Sequence, residues 1–358
     1  MTKRSLLALL LLPAMLLSAC GSGRQSADGT GTPSGETKTR PVETITINNA
    51  CYGEFTICVE DQPLFFLRGN FALDGKAYLF GLKKSKSLAA EGETVPYGFS
   101  VFSSDGTREF LELPYACEPV GTQDSPNVDI AAVGADGFAV LDGRGYVDWD
   151  ARRNIVLTRR LSAYDTAGSR LFSIDPEALV TRRVNPYTGN DNGYEFTPAA
   201  LYYGASGTLY LVTEFSVIAV SPEGKKLYET GEGVYIQSSY RTADGRILVE
   251  YSVPLDGKTY WAYMDDAAQG FSAPVTLPDP GFSDYTLHFA EGWDYYYQTA
   301  DGLYGMNGED KAPTLLCDWK QSGLSFDRSY QLLVMSESVY FIMRNNPQSK
   351  EQEYAVLR

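Results

Sequence analysis

Carboxylates next to an aromatic ring are the first residues of this 358-residue chain able to do chemistry. Asp148-Trp149-Asp150 offers two acids and an indole that can stack on a sugar ring. A carboxylate pair suffices for glycoside hydrolysis, one acid protonating the leaving oxygen while the other serves as base or nucleophile. The same tripeptide also fits a solvated loop joining two structural units ahead of Arg152-Arg153. Histidine occurs once, at His288, so any Ser/His/Asp arrangement would have to use it. Its setting, Tyr285-Thr-Leu-His288-Phe289, fits a histidine packed in a strand. Histidine metal clusters are excluded by the same count. Asn190-Asp191-Asn192-Gly193-Tyr194-Glu195 approaches a calcium loop, but Thr188 stands where the first acidic ligand belongs. No phosphate-cradling glycine loop occurs. The sequence therefore calls for no metal, no cofactor and no catalytic residue.

Binding is the remaining chemistry. Tyr202-Tyr203, Tyr260-Trp261-Ala262-Tyr263 and Asp294-Tyr295-Tyr296-Tyr297 are aromatic runs that strand alternation sends largely into a core. Asp265-Asp266 reads as a turn. The stretch Thr181–Ala200 is a long insertion, and long insertions in compact folds tend to be functional. Tyr187 and Tyr194 within it, together with Trp149, are the expected ligand contacts, for a protein or carbohydrate.

These residues need a frame. The chain contains 25 Tyr, 17 Phe and 4 Trp, an aromatic excess that favours strands. A net charge of −15 argues against nucleic acid as a partner. No Cys-x-x-Cys occurs among the five cysteines. Cys51 and Cys58 are spaced to close a hairpin in an oxidising compartment, although sparse, scattered cysteines fit buried thiols better.

The N-terminus has Lys3 and Arg4, an apolar core from Leu6 to Leu17, then Ser18-Ala19-Cys20. A basic start, a short apolar core and small residues at the cut describe a signal peptide over residues 1–19. The core is shorter than the ~20 residues a membrane span needs. Leu17-Ser18-Ala19-Cys20 resembles the lipobox of bacterial lipoproteins. That resemblance implies lipidation of the Cys20 thiol and attachment to the outer face of the cell membrane. Residues 20–41 are Gly, Ser, Thr and charged residues, a flexible tether of about 25 Å reach.

From residue 42 to 358 short apolar runs alternate with turn dipeptides, and Asp-Gly alone recurs seven times between Asp74-Gly75 and Asp301-Gly302. Asp-Gly between apolar runs signals a hairpin with a type I′ turn. Only Asp175–Val180 suggests a helical turn, so the chain is all-β. Leu161–Leu171 and Val217–Leu227 share one pattern of apolar and turn positions, with a looser copy at Val101–Phe110. Each reads as the two outer strands of a small sheet. A second turn series precedes strongly apolar strands: Asp74-Gly75, Asp136-Gly137, Ser206-Gly207, Asp244-Gly245, Glu291-Gly292 and Ser336-Glu337. Its later members recur every ~40–47 residues, the length of a four-stranded propeller blade. Six to eight blades are expected, six or seven best fitting the repeats. The last unit, Phe326–Arg358, holds three strands, and Glu43–Ala50 is the expected strand that closes it.

Asp301-Gly-Leu303-Tyr304-Gly305-Met-Asn-Gly308-Glu309, followed by Thr314-Leu-Leu-Cys-Asp-Trp319, is similar to the propeller segment of Gram-positive solute-binding lipoproteins. The resemblance implies an association with solute uptake, although the chain ends at Arg358 where the solute-binding domain of that group would begin. The sequence reading is thus a membrane-anchored, non-enzymatic binding propeller. A glycan-active hydrolase and an envelope assembly scaffold are its alternatives.

Overall fold

A computed structural model describes residues 56–60, 71–83, 90–116, 126–148, 153–181, 198–319, 330–345 and 352–357, apart from positions 74, 106 and 255. It is an all-β propeller of four-stranded antiparallel blades. Blade one comprises β2 (Phe71–Leu73), β3 (Lys76–Leu82), β4 (Pro96–Phe102) and β5 (Arg108–Ala116). Blade two comprises β6 (Pro126–Gly134), β7 (Gly137–Asp148), β8 (Arg153–Asp165) and β9 (Arg170–Ile174). Blade three holds β10 (Pro198–Tyr203), β11 (Leu209–Thr213), β12 (Val217–Val220) and β13 (Lys226–Thr230). Blade four holds β14 (Tyr235–Arg241), β15 (Ile247–Val253), β16 (Lys258–Asp265) and β17 (Gly270–Phe271). Blade five holds β18 (Thr286–Ala290), β19 (Trp293–Gln298), β20 (Gly302–Met306) and β21 (Thr314–Asp318).

Five blades of consecutive strands therefore follow one another, fewer than the six to eight expected from turn spacing. A further four-stranded sheet joins the two ends of the chain. It orders β22 (Tyr330–Ser336), β23 (Val339–Asn345) and β24 (Gln352–Leu357), then β1 (Thr56–Glu60) against β24. The closing strand is thus Thr56-Ile-Cys-Val-Glu60, whose β-branched residues favour an extended strand. The expected Glu43–Ala50 lies outside the described residues.

Packing explains why inner strands are apolar without alternation. Val217–Val220 of β12 is buried at every position. Ile218 and Val220 pack with Leu141 and Leu161 of blade two, whereas Val217 and Ala219 pack with Val249 and Ala262 of blade four. A sheet covered on both faces has no wet side to mark with polar residues. The other clusters follow the same rule. Tyr340 packs with blade five through Trp319, and Phe341 meets Phe102 of blade one with ring centroids 4.6 Å apart.

Both turn series fall where the repeats predict. Asp136-Gly137, Ser206-Gly207, Asp244-Gly245, Glu291-Gly292 and Ser336-Glu337 join first to second strands, and the Leu161, Val217 and Val101 repeats span third and fourth strands. The turn chemistry differs from expectation. At Thr242–Arg246, Gly245 N–H donates to Thr242 O at 2.9 Å and Thr242 N–H to Arg246 O at 2.9 Å. Gly245 has φ +80°, while Gln269 is the single non-glycine residue of positive φ among the described residues. Asp244 is therefore not left-handed. The loop is a type I turn followed by a glycine bulge, the form a three-residue hairpin loop takes. The Asp175–Val180 turn is a single 3-10 turn, Glu177–Leu179.

Candidate functional site

An open groove of about 420 Å³ lies where the first hairpin turns of blades four and five meet. Blade four contributes Thr242–Asp244, Arg246 and Tyr263; blade five contributes Phe289–Tyr295. Strand alternation explains its walls. Tyr295 and Tyr297 of β19 join the apolar cluster shared with blade four, while Tyr296 between them joins the opposite one, facing β22 and β23. Tyr263 likewise lines the groove at the end of β16, where Met264 beside it turns to the core shared with blade three. Phe289 and Tyr295 meet edge-on with centroids 5.9 Å apart, and Tyr240 backs Phe289 at 5.6 Å.

Trp293 turns to the opposite face of blade five, where it packs with Tyr296, Trp319 and Tyr340. A Cβ added at Gly305 of β20 would stand 2.5–2.8 Å from three indole atoms, so the ring lies directly on glycine backbone. Gly305 is the glycine of the Leu303-Tyr304-Gly305 signature, and close approach is its physical role. Asp294, next in sequence, accepts a hydrogen bond from Gly308 N–H at 2.8 Å, and Gly308 belongs to the same signature.

Arg246 supplies the cation. Its guanidinium lies 4.0 Å from the centroid of Tyr263, and its Nε donates to Asp244 Oδ2 at 2.6 Å. Burial would raise the Asp244 carboxyl, but the Thr242 hydroxyl and Arg246 outweigh it and hold the group below its ordinary value. Asp244 is therefore an anion at neutral pH and no proton donor.

A second polar constellation seals the neighbouring seam. Asp266, just beyond β16, reaches across to blade three. Tyr210 and Tyr228 donate their hydroxyls to Oδ1 at 2.6 and 2.7 Å, and Ser206 and Thr208 approach Oδ2 at 3.2 and 3.4 Å. Burial pushes the Asp266 carboxyl up, yet these hydroxyls win and lower it; burial and the same carboxylate raise both tyrosines. Sequence reasoning missed this network. Asp265 is the turn residue it looked like, accepting from Ala267 and Ala268 N–H at 2.9 and 3.0 Å. Asp266 beside it binds partners 38 to 60 residues away, and no local pattern announces them.

The expected contacts Tyr187, Tyr194 and Trp149 lie outside the described residues, as do Cys20 and Asp150. Asp148 ends β7 and pairs with Arg153 in β8, so residues 149–152 connect two strands of blade two. That corrects the expectation of a loop between units: β7 and β8 simply extend together beyond the ordinary strand length. The insertion after Thr181 joins β9 to β10, at strand ends opposite to those that the first hairpin turns connect. The described groove is therefore on the other face from the one the insertion pointed to. His288 sits in β18 with a ring nitrogen 2.9 Å from Gln298 Oε1, and burial lowers it to about 4. Tyr202 donates to Ser239 O at 2.8 Å and Tyr297 to Pro278 O at 3.0 Å, so most of the aromatic runs do pack inward. Tyr263 and Tyr295 are the exceptions that face the groove. Among the described residues no cluster of metal-ligating side chains occurs, and no helix is long and apolar enough to cross a membrane.

No protein-family model matches the chain, and no curated protein does. Solved structures resemble it distantly. A gluconolactonase from Xanthomonas campestris is 13% identical at TM-score 0.41, over 86% of this chain and 92% of that one. A mutant of Trypanosoma rangeli sialidase is 10% identical at TM-score 0.39, covering 89% and 58%. A protein of unknown function from Bacteroides caccae is 13% identical at TM-score 0.30, covering 68% and 72%. Likenesses this distant carry no argument about activity, and the strand order stands on its own.

Proposed function

We propose that this protein is an exported propeller, held to the membrane by a lipid on Cys20, that captures a small ring-bearing ligand without altering it. In this reading the sheet made of β22–β24 and β1 counts as the sixth blade of a closed ring. The groove between blades four and five is the binding site. One observation carries the reading. Tyr202, Tyr210, Tyr228, Tyr296, Tyr297 and Tyr340 donate their hydroxyls to protein acceptors, and Trp319 Nε1 donates to Thr299 O. Tyr263 and Tyr295 line the groove with polar tips that no described residue engages. Rings fixed in place with donors left over suit a ligand that is apolar on its faces and polar at its edges, as sugars are.

The test is calorimetry of the full chain in detergent against a panel of mono- and oligosaccharides. Tyr295→Ala should abolish the binding found; undiminished binding by that variant would remove the groove from consideration. Metabolic labelling with a fatty-acid probe should mark the wild type and spare Cys20→Ala. The resemblance of residues 300–324 to solute-binding lipoproteins supports delivery of the ligand toward uptake. A glycan-active hydrolase is the second reading, favoured by Asp244, Glu291 and Asp294 lining one aromatic groove. Asp244, held as an anion beside Arg246, counts against a proton-donating role for that residue. Release of reducing ends that disappears in Glu291→Gln or Asp294→Asn would replace the binding reading with this one.

A further inference from the structure

We infer that the Asn307-Gly308 turn of blade five is a built-in modification site, at which the chain deamidates itself with Asp294 as general base. The turn joins β20 to β21. Asp310 N–H donates to Asn307 O at 3.0 Å, and Asn307 N–H donates to Asp310 Oδ2 at 2.7 Å. Tyr295 pairs with Met306 in the register of β19 and β20, which brings Asp294 opposite the turn. Asp294 then meets it at two points. Its Oδ2 accepts the Gly308 N–H at 2.8 Å, and its own N–H approaches Asn307 Oδ1 at 3.4 Å. Gly308 is exposed, and a Cβ built on it would meet Asp294 Oδ2 at 3.6 Å, an ordinary contact. Water therefore reaches the turn.

These are the parts the reaction needs. Where glycine follows asparagine, its nitrogen can attack the side-chain carbonyl carbon, because no Cβ obstructs the approach. The obstacle is the amide proton: a neutral amide nitrogen is a poor nucleophile until a positioned base removes it. Asp294 Oδ2 stands within the ~2.6–3.2 Å reach of such a base. The second contact lies where negative charge develops. As the Gly308 nitrogen bonds to Asn307 Cγ, the carbonyl electrons move onto Oδ1, beside the Asp294 N–H. The tetrahedral centre collapses by breaking the bond from Cγ to the side-chain nitrogen, which leaves as ammonia with the proton Asp294 took up. Water then opens the cyclic imide at either carbonyl, giving aspartate or isoaspartate at residue 307. Isoaspartate adds a carbon to the main chain, which breaks the Gly308 hydrogen bond to Asp294. Asp294 lines the groove, so the modification alters its blade-five wall.

A second Asn-Gly, Asn192-Gly193, lies outside the described residues and serves as an internal reference. The experiment incubates the full chain in detergent at neutral pH, with and without urea. Peptide mass spectrometry and isoaspartate detection read both sites over time. A positioned base is worth about 10²–10⁴-fold in an enzyme, and here the turn must still bend for attack. Asn307 should therefore deamidate on the order of tenfold faster in the folded chain than in urea. Asp294→Asn keeps an acceptor oxygen for the Gly308 N–H but takes up no proton, and it should bring the folded rate down to the urea rate. The rate at Asn192 should not respond to that variant. Gly308→Ala should slow Asn307 in both states. A folded rate at or below the urea rate overturns the proposal, because the bond to Asp294 then guards the amide instead of activating it. An acceleration that survives Asp294→Asn also overturns it. The wild-type comparison needs no variant and decides the question even where Asp294→Asn fails to fold.

Discussion

The two seams flanking blade four are built from the same residue types and end in opposite states. Between blades three and four, one carboxylate from Asp266 collects hydroxyls from Tyr210, Tyr228, Ser206 and Thr208. Between blades four and five, carboxylates and aromatic rings again gather at the first hairpin turns, but they open onto a groove. The difference is where polar tips go. At the first seam they meet each other and the interface is sealed. At the second, Tyr263 and Tyr295 spend their rings on packing and leave their donors unengaged by any described residue. A polar group satisfied internally stabilises the fold; one left unsatisfied at an accessible surface is available to a partner.

The largest way to separate the two seams uses pH. His288, on the inner strand of blade five, is held neutral by burial, at about 4. A base with a depressed folded value contributes stability that is complete above its unfolded value near 6.5. That stability is lost as pH falls from 6.5 toward 4, because the unfolded chain takes the proton first. The full difference is at most about 3 kcal/mol, and partial exposure of the ring reduces it. Chemical denaturation from pH 7 to 4 should show the wild type losing stability relative to His288→Gln. Hydrogen exchange should localise the loss to blade five while the Asp266 seam stays protected. Parallel curves for the two proteins would show that His288 is not the titrating group.

Asp266→Ala comes next. Tyr210 and Tyr228 are buried, so the variant leaves two phenols without their acceptor. Asp266 itself is exposed, and water takes over part of its role, which limits the expected loss to about 1–2 kcal/mol. That corresponds to a fall in Tm of about 2–6 °C. Ligand binding in the groove should not change. Tyr210→Phe should cost about 1 kcal/mol, and its effect should shrink when Asp266 is already Ala, because the two share one bond.

How much of this was legible in the sequence follows the range of the interaction. Both turn series and the pairing of outer strands were readable, because a glycine turn and its flanking apolar residues sit within a dozen positions. Thr56–Glu60 is not legible as the closing strand, because an edge strand pairing with the chain's far end carries no local mark beyond its β-branched residues. Gly305 and Gly308 were visible as parts of a signature. Their jobs, seating Trp293 and holding Asp294, exist only after β19 and β20 pair. The insertion after Thr181 drew attention by its length, a signal that knows nothing of which face a groove occupies. Asp266 was hidden for a related reason: Asp265 beside it satisfies every local criterion for the pair.

The smallest predicted effect is the most discriminating. Tyr263→Phe and Tyr295→Phe keep both rings, so the packing of Phe289 on Tyr295 and the seat of Arg246 over residue 263 survive. Neither hydroxyl has a protein partner among the described residues, so its removal deprives no buried group of a bond. Each variant should stay within about 0.5 kcal/mol of the wild type in denaturant unfolding. Tyr210→Phe makes the same chemical change and should cost about twice that or more. If Tyr263→Phe or Tyr295→Phe proves as costly as Tyr210→Phe, the open seam is sealed after all and its donors are not available. If both are silent in unfolding and either weakens saccharide binding, the hydroxyls at the second seam face a ligand, as those at the first face Asp266.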